Sequence, residues 1–167
     1  MSQRLGERNM PSCLERSLSY IDLTTFYIGD ACCGINILSI QEINKLTEVT
    51  CVPLAPDYVK GILNLRGQII TLIDVGKRLG LPSSLGSPHP SAAVADKAKK
   101  QRNIIVYFEN ESVGLLVDSI GDVFRAENEN IEKPPANVVG IHWKFFEGVL
   151  KTDKQLISIL NLAEVLG

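Results

Sequence analysis

The most constraining feature of this chain is that it repeats itself. Residues 25–43 and 105–123 share one pattern, in which Gly34 matches Gly114, Ser39 matches Ser119 and Ile40 matches Ile120, all 80 positions apart. Residues 58–80 and 145–167 match at a second spacing: Gly61 meets Gly148, Gln68 meets Gln155, Asp74 meets Asn161 and Gly80 meets Gly167, each 87 apart. The spacing grows because the second copy carries a longer middle loop. The unit is longer than a solenoid repeat, so the pattern reads as an internal duplication.

Each copy predicts mainly strand. The runs Phe26 to Ile28, Ile69 to Ile73, Ile104 to Phe108, Val113 to Val117 and Leu156 to Leu160 are rich in Ile, Val and aromatic residues. Turn signals such as Gly29-Asp30, Glu109-Asn110-Glu111 and Thr152-Asp153 bound them. They are short for helices and too continuous for a sheet with one wet face, which suits the strands of a small closed barrel. Asp74 and Asn161 follow strands at equivalent places and can cap short helices over Val75 to Leu79 and Leu162 to Leu166. Pro56 suits the first turn of another helix, Asp57 to Leu63. The expected architecture is mainly β: two side-by-side five-stranded β-barrel subdomains with short helices.

Composition and punctuation set the boundaries. Residues 1–19 are polar and charged with no signal-like apolar stretch, and read as a flexible N-terminal segment before one domain over 20–167. The Pro-, Ser-, Ala- and Lys-rich stretch from about 83 to 102 reads as an exposed linker, with a helical turn around Ala92 to Lys99. It divides barrel subdomain 1, about 20–82, from barrel subdomain 2, about 103–167, with strand exchange between them left open. Seventeen basic against 19 acidic residues, a net charge of -2, argue against non-specific nucleic-acid binding. No apolar run approaches the roughly 18 residues that cross a bilayer, so a cytoplasmic protein with no membrane insertion is expected.

Signatures of catalysis are missing. There is no phosphate-binding loop, dinucleotide fingerprint, zinc-protease motif or nucleophile elbow. Cys13, Cys32, Cys33 and Cys51 lack metal or redox spacing, and adjacent Cys32 and Cys33 in a strand would point to opposite faces. His89 and His142 stand apart from any cluster. No cofactor or metal is expected, and a binding module is the better reading than an enzyme.

A duplicated scaffold locates function where its copies differ. The first copy reads Asn64-Leu65-Arg66-Gly67 where the second reads Lys151-Thr152-Asp153-Lys154. Gly67 can take a positive φ and Asn64 can hydrogen-bond the turn backbone, so this loop can hold Arg66 in a defined direction, although on composition alone a simple surface charge is the better reading. Strand alternation pairs Ile40 with Glu42 on one face and Gln41 with Ile43 on the other; in the second copy it pairs Ile120 with Asp122 and Gly121 with Val123. If these strands meet at the barrel junction, they line an apolar groove with a carboxylate, a place for a helix to dock. Periodicity fits Ile40, Ile120 and Val123 as core residues just as well.

The run from Val52 to Asp74, with its V-P-x-A-P-x-Y-V-K-G-x-x-N-L-R-G string, closely resembles the CheW-like chemotaxis coupling proteins. Gly34-Ile35 leading to Gln41-Glu42-Ile43, and Gly114 to Asp118 leading to Asp122-Val123, extend the resemblance over about residues 23–167. It implies a non-enzymatic adaptor of two five-stranded barrels. Such adaptors join the cytoplasmic tip of methyl-accepting chemoreceptors to the regulatory domain of the histidine kinase CheA in membrane-associated arrays. Carried over by position, Ile40, Glu42, Ile120 and Val123 would face the receptor helix, with Asn64 and Arg66 beside them and Arg66 paired with Glu42. Kinase contacts carry over to no particular residue. With no receiver domain following, the chain resembles a stand-alone coupler. A coupler of a surface- or pilus-motility pathway is the alternative of the same class, and a small-ligand-binding β-barrel protein the alternative of another.

Overall fold

The computed structural model describes residues 20–81, 99–134 and 142–167. The expected N-terminal segment, most of the linker, Cys13 and His89 lie outside them. Eleven strands form two sheets among the described residues. In chain order they are β1 (Tyr20–Ile28), β2 (Ala31–Asn36), β3 (Ile40–Lys45), β4 (Val59–Leu65), β5 (Gln68–Asp74), β6 (Arg102–Phe108), β7 (Glu111–Val117), β8 (Ser119–Glu127), β9 (Ile131–Glu132), β10 (Phe146–Lys151) and β11 (Leu156–Leu160). Two short helices follow β5 and β11: α1 (Val75–Leu79) and α2 (Leu162–Leu166). The Asp74 carboxylate accepts from the Lys77 amide at 3.0 Å and caps α1, and Asn161 caps α2 in the same way.

The two copies do not build one sheet each. The six-stranded sheet runs β8-β1-β2-β11-β10-β9 and the five-stranded sheet runs β3-β6-β7-β5-β4, so each mixes strands from both halves. A division at residue 82 therefore separates the copies in sequence but not in space, and the sheets count six and five strands rather than five each. The exchange is symmetric. β11 pairs parallel with β2, placing Ile159 opposite Gly34, while β5 pairs parallel with β7, placing Leu72 opposite Gly114. These are the same pairing by the repeat's own spacings, with the copies reversed.

Both hydrogen-bonded orders are open, yet the chain closes each sheet upon itself. β8 passes through a 3-10 turn into β9, which pairs with β10 at the far edge. In the other sheet, the chain leaving β3 bends to form a bridge between Thr50 and Ile62 of β4. At these crossings the backbones touch. A Cβ on Gly61 would collide with the Thr50 carbonyl oxygen, and one on Gly148 with the Ile131 side chain. Gly61 also has φ +149°, a conformation other residues rarely adopt. The matched glycines of the duplication are thus one structural requirement met twice.

The segment from Asp57 to Leu63 is a turn leading into β4, not a helix. Its buried positions alternate at Gly61 and Leu63, and six of the seven residues of 59–65 pair antiparallel along β5, Lys60 being skipped at a bulge. Pairing with β5 and the crossing at Gly61 outweigh the local helix-start signal of Pro56. The linker is also shorter than expected at its C-terminal end, because Gln101 is buried and Arg102 already opens β6.

Among the described residues, three apolar clusters result. Leu23, Cys32, Ile157 and Ile159 fill the six-stranded sheet, and Leu63, Ile70, Leu72 and Ile105 fill the five-stranded one. The largest lies between the sheets and takes equivalent residues from both, including Phe26 with Val106, Ile35 with Leu115, and Ile73 with Leu160. Cys32 and Cys33 fall in different clusters, on opposite faces of β2. Across the copies, Arg125 grips Asp22 with two hydrogen bonds of 2.8 and 3.1 Å and holds its carboxyl below the usual range.

Two predictions follow from these contacts. Gly61→Ala and Gly148→Ala each lower the unfolding free energy in urea by about 1–3 kcal/mol, the usual cost of overpacking, with Gly61→Ala at the upper end because of its φ. Burial pushes the Cys33 thiol up to about 12, so it stays protonated at neutral pH. Iodoacetamide at pH 8 should therefore modify exposed Cys51 in the folded protein and spare Cys33, as peptide mass spectrometry would show.

Candidate partner-docking site

Arg66 and Gly67 form the two-residue turn between β4 and β5, with Leu65 paired to Gln68. Both have positive φ, +52° and +86°. The Gly67 amide donates to the Asn64 side-chain oxygen at 2.9 Å, which holds the turn closed. Asn64 therefore shapes the loop, and the loop aims Arg66. Its guanidinium meets the Glu42 carboxylate of β3 at 3.1 Å. β3 and β4 are the two edges of the five-stranded sheet, so this ion pair spans the open seam. The equivalent positions in the second copy are Asp153 and Asp122, two carboxylates, and they cannot make the same clasp.

The apolar positions follow a different geometry from simple alternation. In β3, Ile40 pairs with Val106, but Glu42 pairs with Ile105 and Ile43 with Ile104. One extra residue, Gln41, has entered the strand as a β-bulge. The bulge reverses the faces beyond it, so Ile40 shares a side with Ile43 and not with Glu42. The Ser112 hydroxyl donates to the Gln41 side-chain oxygen at 2.8 Å beside this bulge. β8 repeats the irregularity: Ile120 pairs with Phe26 and Val123 with Thr24, which puts Ile120 and Val123 together. There the buried Thr25 hydroxyl donates to the Asp122 carbonyl at 2.6 Å.

The six expected site residues thus divide into three roles. Ile40 and Ile120 are half-buried and pack against the inter-sheet cluster, so they anchor the apolar face more than they present it. Val123, 57% exposed, continues that face into solvent. Arg66, Glu42 and Asn64 form the charged seam on the five-stranded sheet. Ile43 was missed: it is 40% exposed and is the counterpart of Val123 at the repeat spacing. That match is the available signal, but simple alternation, which takes no account of the bulge, puts Ile43 on the opposite face from Ile40.

The comparisons with known proteins agree with this architecture. The CheW-like domain model matches residues 22–167. The chain belongs to the CheW-like domain family. Its role as a chemotaxis adaptor rests on that membership and on its relatives. It is 32% identical over 141 residues to a probable chemotaxis protein CheW of Rhizobium etli, covering 84% of each chain. It is 30% identical to the chemotaxis protein CheW of Treponema pallidum, covering 84% of this chain and 78% of that one. The crystal structure of the scaffolding protein TtCheW from Thermoanaerobacter tengcongensis superposes with a TM-score of 0.76 at 30% identity, covering 99% of this chain and 94% of that one. Among the described residues, no helix is long and apolar enough to cross a membrane.

The Arg66–Glu42 pair is open to water, with the arginine side chain 80% exposed. Solvent screening limits such a pair to about 0–1 kcal/mol. Arg66→Ala should therefore lower the unfolding free energy measured in urea by less than about 1 kcal/mol; a larger loss would make the pair structural.

Proposed function

We propose that this CheW-like protein couples chemoreceptors to the histidine kinase CheA by bridging them, without catalysing a reaction itself. The observation that carries this reading is the apolar face of Ile43 and Val123, which extends the inter-sheet core into solvent on both β-bulged strands. A helix from the cytoplasmic tip of a methyl-accepting receptor would lay its apolar stripe there, with Ile40 and Ile120 beneath it. Asn64, Arg66 and Glu42 would set its register along the seam. The regulatory domain of CheA is the second partner, and the complex would sit in arrays at the membrane although the adaptor does not enter the bilayer.

A scaffold changes kinase activity only if it binds one kinase conformation better than another. The coupler therefore has to contact both partners at once. Co-sedimentation with receptor-containing membranes, with and without CheA, while kinase phosphorylation is followed, tests this. Joint recruitment with altered kinase activity is expected. Val123→Asp or Ile43→Asp, which place a charge in the docked face, should weaken receptor recruitment at least tenfold while the protein remains folded. Recruitment equal to wild type by both variants would remove this face from the interaction.

A further inference from the structure

Away from the seam, a crevice of about 280 Å³ opens where the two sheets meet α2. Its apolar walls include Phe108 at the end of β6, Leu160 at the end of β11, and Leu162. Its polar lining includes Asn36, which caps the 3-10 turn between β2 and β3, Ser39, which ends that turn, and Glu147 of β10 at the rim. The Glu147 carboxylate forms no hydrogen bond or ion pair with any described residue. Among the described residues, no Lys, Arg or His lines the crevice. Glu147 is exposed on β10, and the desolvation it does undergo beside the crevice raises its carboxyl above the ordinary range.

The duplication shows that the scaffold does not demand a carboxylate here, because the equivalent residue in the first copy is Lys60. The turn beside the crevice carries a further unusual feature. Leu38 is 90% exposed, and its amide is held by the Asn36 side-chain oxygen at 3.0 Å. An exposed apolar side chain thus stands one residue before Ser39 of the crevice lining. The volume lies just below the roughly 300–1,000 Å³ typical of small-molecule pockets, and suits one long side chain.

We propose that this crevice is a socket for a lysine or arginine side chain on a partner protein, whose cationic head meets Glu147 while its methylene stem lies along Phe108, Leu160 and Leu162. A neighbouring apolar residue of the same partner packs on Leu38. The source of the cation rests on the adaptor reading, but the socket's chemistry can be tested without it.

The experiment titrates the ¹⁵N-labelled full chain with the methylamides of N-acetyl-arginine, N-acetyl-lysine and N-acetyl-glutamate. The two cationic probes should shift the amide signals of Ser39, Phe108, Glu147 and Leu162, and the anionic probe should not. Glu147→Gln should weaken cationic binding at least tenfold. Because it removes a carboxylate with a raised pKa, it should leave the thermal midpoint at pH 7 unchanged or higher, as a residue kept for binding and not for stability would. Absence of shifts at these positions, or equal shifts in Glu147→Gln, overturns the proposal. A second arm compares wild type with Glu147→Lys in co-sedimentation, where the variant should recruit at least one partner tenfold less. Equal recruitment would overturn the assignment to a protein partner. Failure of wild type itself to co-sediment would instead count against coupling, and the probe titration would still decide the socket.

Discussion

The two parallel pairings, β11 on β2 and β5 on β7, are the constraint on which the rest of this molecule depends. Each joins a strand of one copy to a strand of the other. Neither half can complete a sheet with its own strands, so neither half buries its apolar faces alone. The antiparallel pairs β1–β8 and β3–β6 likewise cross between the copies. Parallel strands need long crossover connections, and here the intervening hairpins and loops supply them. The cost is a high share of contacts between distant residues, which the entropy of loop closure makes slow to form.

This exchange also produces the candidate site. Because β3 and β8 leave the strand pair that precedes them and join the opposite sheet, the turns before them lie at the junction of the sheets. The β-bulges of β3 and β8 then rotate Ile43 and Val123 onto the face shared with Ile40 and Ile120. The same strands thus supply both the buried anchor and the exposed continuation. Buried and exposed positions are adjacent stretches of one apolar surface, which explains why periodicity alone could not tell them apart.

The copies have stayed alike where backbones cross and have diverged where side chains meet solvent. Gly61 and Gly148 are retained because a Cβ has no room at either crossing. A Cβ on Gly34 would come within 3.0 Å of the Ile157 side chain, and one on Gly114 within 2.9 Å of the Leu72 side chain, both on the parallel partner strands. By contrast, Arg66 opposite Glu42 becomes Asp153 with Asp122, and Lys60 becomes Glu147. A fold with approximate internal symmetry can therefore carry two chemically different surfaces.

Much of this was legible in the sequence by itself. The repeat, most strand runs, both capped helices, the opposed faces of Cys32 and Cys33, and the turn that aims Arg66 all follow from local rules of propensity, capping and backbone φ. Such rules act over a few residues, and a duplicated chain states them twice. Tertiary structure decided the remainder. Pairing with β5 turned the expected helix at Asp57 to Leu63 into strand, because a row of interstrand hydrogen bonds outweighs one helix-start residue. Partner choice between copies, the single-residue bulge at Gln41 and the resulting face of Ile43 were likewise beyond local pattern. Each depends on which distant strand lies alongside, and the strands of two similar copies carry nearly the same local signal for either partner.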